Sequence, residues 1–305
     1  MASVAGVALA ICMASPAVAE PRVDRNVVYG MYSGLALLLD VHHPERPNGR
    51  GVIFISGSGW SAPVTYGAPP LKLQQIPEWG PALLAAGYTV FAINHRASPR
   101  FHYPDQLDDV QRAIRFVRHN ASEYAIDPDR LGGVGGSSGG HLIGLAAMVA
   151  AQGVADDPDP VNRMSAALQA VVLRAAPSDL LGVAAGSPYG GAAVVAFLNR
   201  LPAPGAGDRS LFRTASPITH VSKTSPPVLL IHGDKDDIVP FSQSEAFQAA
   251  LAKAGVPVEL VRVPGGVHGH TFGPDGKPHE QFADVLVRTV AWLDRYLKGG
   301  VTPVN

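Results

Sequence analysis

The residues with the plainest chemical potential form one run, Gly135-Gly136-Ser137-Ser138-Gly139-Gly140-His141. It follows the short β-rich run Leu131 to Gly135 and precedes an apolar stretch, Ser138 to Ala151, that reads as a helix. A Gly-x-Ser-x-Gly between strand and helix is a nucleophile elbow, a sharp turn that holds a serine hydroxyl clear of the sheet. The flanking glycines are required because a Cβ at either would clash in so tight a turn, and the serine takes strained backbone angles. The helix N-terminus behind it favours developing negative charge. The motif can be centred on Ser137 or on Ser138; Ser137 leaves the bend nearest the strand end and is the frame adopted. A Gly-rich phosphate loop is the competing reading, but its Gly-Lys-Ser/Thr ending is missing.

A serine nucleophile needs a base to take its proton and an acid to orient that base. After an elbow of this kind the acid comes next in the chain and the histidine last. Two later strand ends supply them: His232-Gly233-Asp234-Lys235-Asp236-Asp237 and Pro264-Gly265-Gly266-Val267-His268-Gly269-His270. Asp236 is the acid of choice over Asp237 and Asp234, which suit turn or capping roles. His268 follows the glycine pair most closely and is preferred to His270. The His-Gly-His spacing also suggests a metal, but no further ligands at sensible spacing accompany it. His95, His102, His119, His141, His220 and His279 are taken as structural or solvated.

Acyl transfer also needs donors for the tetrahedral oxyanion. Ser56-Gly57-Ser58-Gly59-Trp60 follows another apolar strand and is the candidate loop. The first donor expected is the backbone N–H of Ser138, the residue after the nucleophile; the second is that of Ser58, assisted by Gly57 or Gly59. Trp60, Tyr66 and Tyr189 are candidate walls of the substrate pocket, since aromatic rings often line ligand sites.

The elements that must position these residues alternate along the chain. Candidate strands are Val27 to Tyr32, Ala36 to Val41, Gly51 to Ser56, Tyr88 to Asn94, Leu131 to Gly135, Ala170 to Ala175, Pro227 to His232 and Val258 to Val263. Val52-Ile53-Phe54-Ile55 and Val228-Leu229-Leu230-Ile231 are apolar without alternation, as strands covered on both faces are. Asp105 to Tyr124 carries Leu107, Val110, Ala113, Ile114 and Val117 on an amphipathic stripe. Phe241 to Ala254, closed by Gly255, and Glu280 to Leu297 also read as helices. The fold class expected is α/β, a mostly parallel eight-stranded sheet flanked by helices. Pro177 to Pro226, rich in Gly, Pro, Ala and Ser, is expected to be irregular and to form a small cap or none.

With 305 residues, 47% apolar and 16% charged, the chain suits one large globular domain. A net charge of −1 from 24 basic and 25 acidic residues, without blocks of like charge, calls for neither nucleic acid nor an anionic membrane surface as partner. The first 19 residues are apolar, carry no charge and end in Ala17-Val18-Ala19. They read as a cleaved signal peptide rather than a membrane anchor, leaving residues 20–305 as an exported catalytic domain. Cys12 is the only cysteine, so disulfides do not stabilise the mature chain.

Together these features resemble the α/β-hydrolase esterase superfamily, within it the carboxylesterases with a His-Gly-Gly-Gly-Trp loop, including acetyl-, xylan- and feruloyl-esterase-like enzymes. The resemblance extends to Tyr29-Gly30-Met31, Leu39-Asp40-Val41, Tyr103-Pro104, Asp109 and Ser216-Pro217. It implies Ser137 as nucleophile, Asp236 as acid and His268 as base, hydrolysis of short acyl or aryl-acyl esters, and no cofactor. The partner implied is a small-molecule or polysaccharide-linked ester. The chain departs from the pattern at Ser56 and Ser58, where that group has His and Gly. A non-glycine residue held at positive φ at position 58 would be strained by about 1 kcal/mol, and a brace is missing at 56 unless the Ser56 hydroxyl supplies one. Two other functions compete: a peptidase resembling the prolyl oligopeptidase catalytic domain, for which the chain lacks a preceding propeller, and a non-catalytic hydrolase-like binding protein, which would have no need of all three residues.

Overall fold

A computed structural model describes residues 22–202 and 206–299. Residues 1–19, read as a signal peptide, and Cys12 lie outside the described residues. The strands are β1 (Val23–Tyr32), β2 (Leu35–His42), β3 (Gly51–Ile55), β4 (Thr89–Ile93), β5 (Leu131–Gly136), β6 (Ala170–Arg174), β7 (Val228–Gly233) and β8 (Val258–Val263). They form one sheet in the order β1-β2-β4-β3-β5-β6-β7-β8. β1 with β2 and β2 with β4 are antiparallel; every later pairing is parallel.

The unbroken apolar runs are explained by two cores, one on each face. Ile53 and Ile55 enter one cluster while Val52 and Phe54 enter the other. Val228 and Leu230 divide from Leu229 and Ile231 in the same way. A strand with period-two geometry and both faces covered must be apolar at every position. The first face is covered by α2 (Asp105–His119), α3 (Ser138–Val149) and α7 (Ser242–Lys253), the second by α1 (Ile76–Ala85) and α8 (Phe282–Leu293). A π turn, Asp294–Lys298, extends α8.

Three differences from the sequence reading have local causes. α2 stops at His119 rather than near Tyr124, because the Asn120 side chain donates to the Phe116 carbonyl at 2.8 Å and offers the backbone an alternative to another helical turn. α1 gives no amphipathic signal, since Pro77, Gly80 and Pro81 interrupt its pattern; Pro77 falls in its first turn, where proline is tolerated. The 177–226 segment is helical rather than irregular: α4 (Leu180–Gly186), α5 (Pro188–Leu198) and α6 (Ala206–Thr214). Asp179 caps α4 by accepting the Leu181 N–H, and Ser187 caps α5 by accepting the Gly190 N–H.

Buried ion pairs fix two of the connecting segments. Arg96 meets Asp109 at 2.8 Å and Asp105 at 2.9 Å, securing the loop after β4 to α2. Asp40 on β2 pairs with the buried Lys72 of the segment before α1.

Candidate active site

The bend between β5 and α3 places Ser137 at φ 52° and ψ −124°, the strained geometry expected of an elbow. Its N–H donates to the Arg174 carbonyl on the adjacent β6 at 2.7 Å, and its carbonyl accepts from His141 N–H at 2.9 Å. These bonds fix both ends of the bend. A Cβ on Gly139 would stand 2.2 Å from the Ile55 carbonyl oxygen, so β3 passes too close for any other residue. The two frames of the motif are separated by burial: Ser138 is 1% exposed and its hydroxyl oxygen accepts the Ser58 N–H at 2.8 Å.

Ser137 Oγ lies 2.9 Å from His268 Nε2, and His268 Nδ1 lies 2.7 Å from Asp236 Oδ2. A carboxylate only accepts, so the imidazole proton sits on Nδ1 and leaves Nε2 free to accept from the serine. Asp236 is held on both oxygens. Oδ1 accepts the Ile238 and Val239 N–H groups at 3.0 and 2.8 Å, and Oδ2 accepts a second histidine, His232 Nε2, at 3.1 Å. Burial by itself would raise the Asp236 pKa; the hydrogen bonds from His232 and His268 outweigh it and hold the carboxyl well below the usual range. The competing acids are occupied elsewhere. Asp234 binds Arg262 and the Gly265 N–H, and Asp237 is exposed. His270 Nδ1 accepts from the Gln75 amide at 2.7 Å rather than facing Ser137.

The loop after β3 differs from expectation in its donors. The Ser58 N–H, expected to face the oxyanion, is taken by Ser138 Oγ. Gly57 is the residue against Ser137: a Cβ there would stand 2.8 Å from Ser137 Cβ and 2.7 Å from the Gly136 carbonyl oxygen. Its N–H and that of Ser138, the first residue of α3, have no backbone or side-chain acceptor among the described residues. The strain foreseen at Ser58 is absent, since the positive φ angles fall on Gly59 (63°) and Trp60 (57°). The Ser56 hydroxyl does brace the loop, accepting the Gln75 N–H at 3.2 Å.

Trp60 is not a pocket wall. It is 2% exposed, stacks on Phe197 at 4.6 Å between ring centroids, and donates its indole N–H to His141 Nδ1 at 3.0 Å. The apolar body of the ring and the single polar partner make it a core residue that steadies the loop end. Tyr66 is fully exposed and lines an open groove of about 530 Å³ with Leu35, Val64, Arg100 and Phe101, whose lining contains none of Ser137, Asp236 and His268. Tyr189 is 73% exposed at the start of α5.

His141, at the foot of the elbow helix, donates from Nε2 to the Ala215 carbonyl at 2.7 Å and accepts Trp60 on Nδ1. Burial pushes its pKa down to about 4, against the Ala215 bond, which favours the charged form. The folded state therefore refuses a proton that the unfolded chain takes near pH 6.5, and stability falls as pH drops from there towards 4. His141→Gln keeps both hydrogen-bond roles without titrating. Between pH 7 and pH 5 the wild type is expected to lose ~2 kcal/mol more stability than this variant, measured by urea denaturation at the two pH values.

Three residues of the site escaped the sequence reading. His232 stands at the end of β7, four positions before Asp236, but nothing in one sequence says which loop residue it meets. Gln75 lies in an unremarkable segment and joins Ser56, His270 and Arg174. Arg174 ends an apolar strand, where a charged residue is a visible anomaly. Among the described residues no group of His, Cys, Asp and Glu could hold a metal ion, and no helix is long and apolar enough to cross a membrane.

Several known proteins are similar to this chain. The family model described as BD-FAE matches residues 39–251. Esterase LipQ of Mycobacterium tuberculosis is 34% identical over 265 residues, 80% of this chain and 56% of that protein. The first curated relatives are spanned over 54–59% of their length, so this chain covers little more than half of each. A truncated carbohydrate esterase from gut microbiota is 29% identical with a TM-score of 0.70, covering 89% of this chain and 96% of that one. An acetyl ester-xyloside bifunctional hydrolase from Caldicellulosiruptor lactoaceticus is 27% identical with a TM-score of 0.69, covering 92% and 97%.

Proposed function

The chain belongs to the BD-FAE family and has the α/β-hydrolase fold, and from that premise we propose that it is a serine carboxylesterase acting on short acyl or aryl-acyl esters, free or linked to polysaccharide. The observation that carries this reading is the hydrogen-bonded chain from Ser137 Oγ through His268 to Asp236. Ser137 Oγ attacks the acyl carbon while its proton passes to His268 Nε2. The tetrahedral oxyanion then collapses, the C–O bond to the alcohol breaks, and His268 returns the proton to the departing oxygen. Water attacks the acyl-enzyme by the same route in reverse: His268 takes its proton, the acid leaves, and Ser137 regains its hydrogen. Asp236, ionised, orients His268 and stabilises the imidazolium in both halves.

The oxyanion is held by the backbone N–H groups of Gly57 and Ser138. The curated relatives named as esterases support the reaction class, and a carbohydrate esterase among similar structures supports a polysaccharide-linked alcohol. Hydrolysis of p-nitrophenyl acetate, butyrate and octanoate, with methyl ferulate, tests the proposal. Turnover of acetate or butyrate above octanoate is expected. A folded protein inert towards all four would refute it.

The hole has its own test. Gly57→Ala must push the loop off the Gly136 carbonyl or the Ser137 side chain. Its kcat on the best of these esters is expected to drop about 10²-fold with little change in KM, the cost of losing one oxyanion donor. Gly67→Ala, where a Cβ meets open space, serves as the control and should match wild type.

A further inference from the structure

Arg174 is a charged side chain in a place that is hard to justify by packing. It is the last residue of β6, 3% exposed, and its two side-chain hydrogen bonds go to neutral acceptors. Nη1 donates to the Gly269 carbonyl at 2.7 Å and Nη2 to Gln75 Oε1 at 3.3 Å. The Phe272 ring lies 5.7 Å from the guanidinium carbon. The crevice around it, between Gln75, Trp79, Gly135 and Gly136, has no room for a water molecule. Asp236 and Glu78 act on it only through space, and burial pushes its pKa down to about 10, so it stays a cation at neutral pH. A buried cation without a bonded carboxylate is costly to hold.

Both of its hydrogen-bond acceptors lie in segments that frame the Ser137–His268–Asp236 site. Gly269 directly follows His268. Gln75 braces Ser56 at the start of the oxyanion loop and also holds His270. Nη2 sits beneath the elbow, where a Cβ on Gly136 would approach it to 2.1 Å, and the Arg174 carbonyl receives the Ser137 N–H. We propose that Arg174 is a positioning residue for acyl transfer: a buried cation that ties the nucleophile elbow, the His268 loop and the Gln75–Ser56 side of the oxyanion loop to one point. The inference rests on the ester-hydrolase reading, and covalent labelling of Ser137 gives it a readout that needs no ester turnover.

The test compares wild type, Arg174→Met and Arg174→Lys by three measurements: ester kinetics, thermal unfolding, and the rate of Ser137 modification by a fluorophosphonate followed by intact mass. Arg174→Met removes the charge and both hydrogen bonds at similar volume. Its kcat and labelling rate are expected to fall about 10²-fold, the scale of a misplacement near 1 Å, with KM within about threefold and Tm lowered by no more than about 10 °C, the cost of two acceptors left unpaired. Arg174→Lys, which keeps the charge and one bond, is expected to recover about tenfold of that loss. Arg174→Met within twofold of wild type in labelling would overturn the proposal, as would losses that merely track Tm. Should the Met variant not fold, the Lys variant and Gln75→Leu, which removes one tie, carry the same comparison; wild-type rates in both would overturn it. A wild type that labels at Ser137 but hydrolyses no ester would sink the esterase reading and leave this comparison intact. A wild type inert to both would sink the two together.

Discussion

Ser137→Ala is expected to lower kcat about 10⁶-fold on any ester the wild type hydrolyses, with KM nearly unchanged. The size follows from what disappears: the attacking atom itself, not a group that assists it. Ser138 is no substitute, because its hydroxyl is buried and already accepts the Ser58 N–H. The fold should be indifferent. Among the described residues the only side-chain bond lost is the one to His268 Nε2, and the bend at φ 52° is held by backbone bonds to Arg174 and His141 that alanine keeps. Kinetics on the purified variant, with thermal unfolding alongside, checks both halves. Retention of more than about a hundredth of wild-type kcat would move the nucleophile elsewhere.

Asp236→Asn is expected to lower kcat about 10⁴-fold, and the structure says why the amide cannot rescue itself by turning over. Oδ1 accepts two backbone N–H groups, from Ile238 and Val239, so the amide oxygen must stay there. The amide NH₂ then faces His268 Nδ1 and His232 Nε2. Towards a donor, Nδ1 must give up its proton and become an acceptor. The imidazole proton moves to Nε2, where it meets Ser137 and can no longer accept from it. His232 cannot yield in the same way, because its Nε2–H also serves the Val239 carbonyl at 2.9 Å and its Nδ1 bonds Ser244 Oγ at 2.7 Å. Asp234→Asn and Asp237→Asn are the controls, expected within threefold of wild type because neither carboxylate bonds His268. Equal losses in all three variants would mean that the loop as a whole, not one carboxylate, supports the histidine.

How much of this was legible beforehand depends on the range of the interaction. The elbow is a local object: strand, glycines, serine and helix occupy one continuous stretch, Leu131 to Val149. That serine, aspartate and histidine stand on one edge follows from parallel strands that deliver their carboxyl ends there, and strands buried on both faces advertise themselves by unbroken apolar runs such as Val52 to Ile55. The acid could be narrowed among Asp234, Asp236 and Asp237 only by preference, since one loop offers three carboxylates whose directions depend on its turns.

What the sequence by itself determined was therefore the sheet, the edge that carries the chemistry, and the types of residue that stand on it. The tertiary structure alone decided which atoms meet. Ser58 and Ser138 are 80 positions apart, yet one hydroxyl takes the N–H that the loop pattern assigned to the oxyanion. Trp60 is drawn inward by Phe197 and His141, partners 137 and 81 positions away. Gln75, His232 and Arg174 acquire roles only through neighbours that other strands bring to them. Hydrophobic periodicity is written along the chain because burial is a property of each residue in turn. A hydrogen bond is a property of two atoms within about 3 Å, and between distant segments that distance exists only once the sheet has closed its register and the helices have packed on both faces.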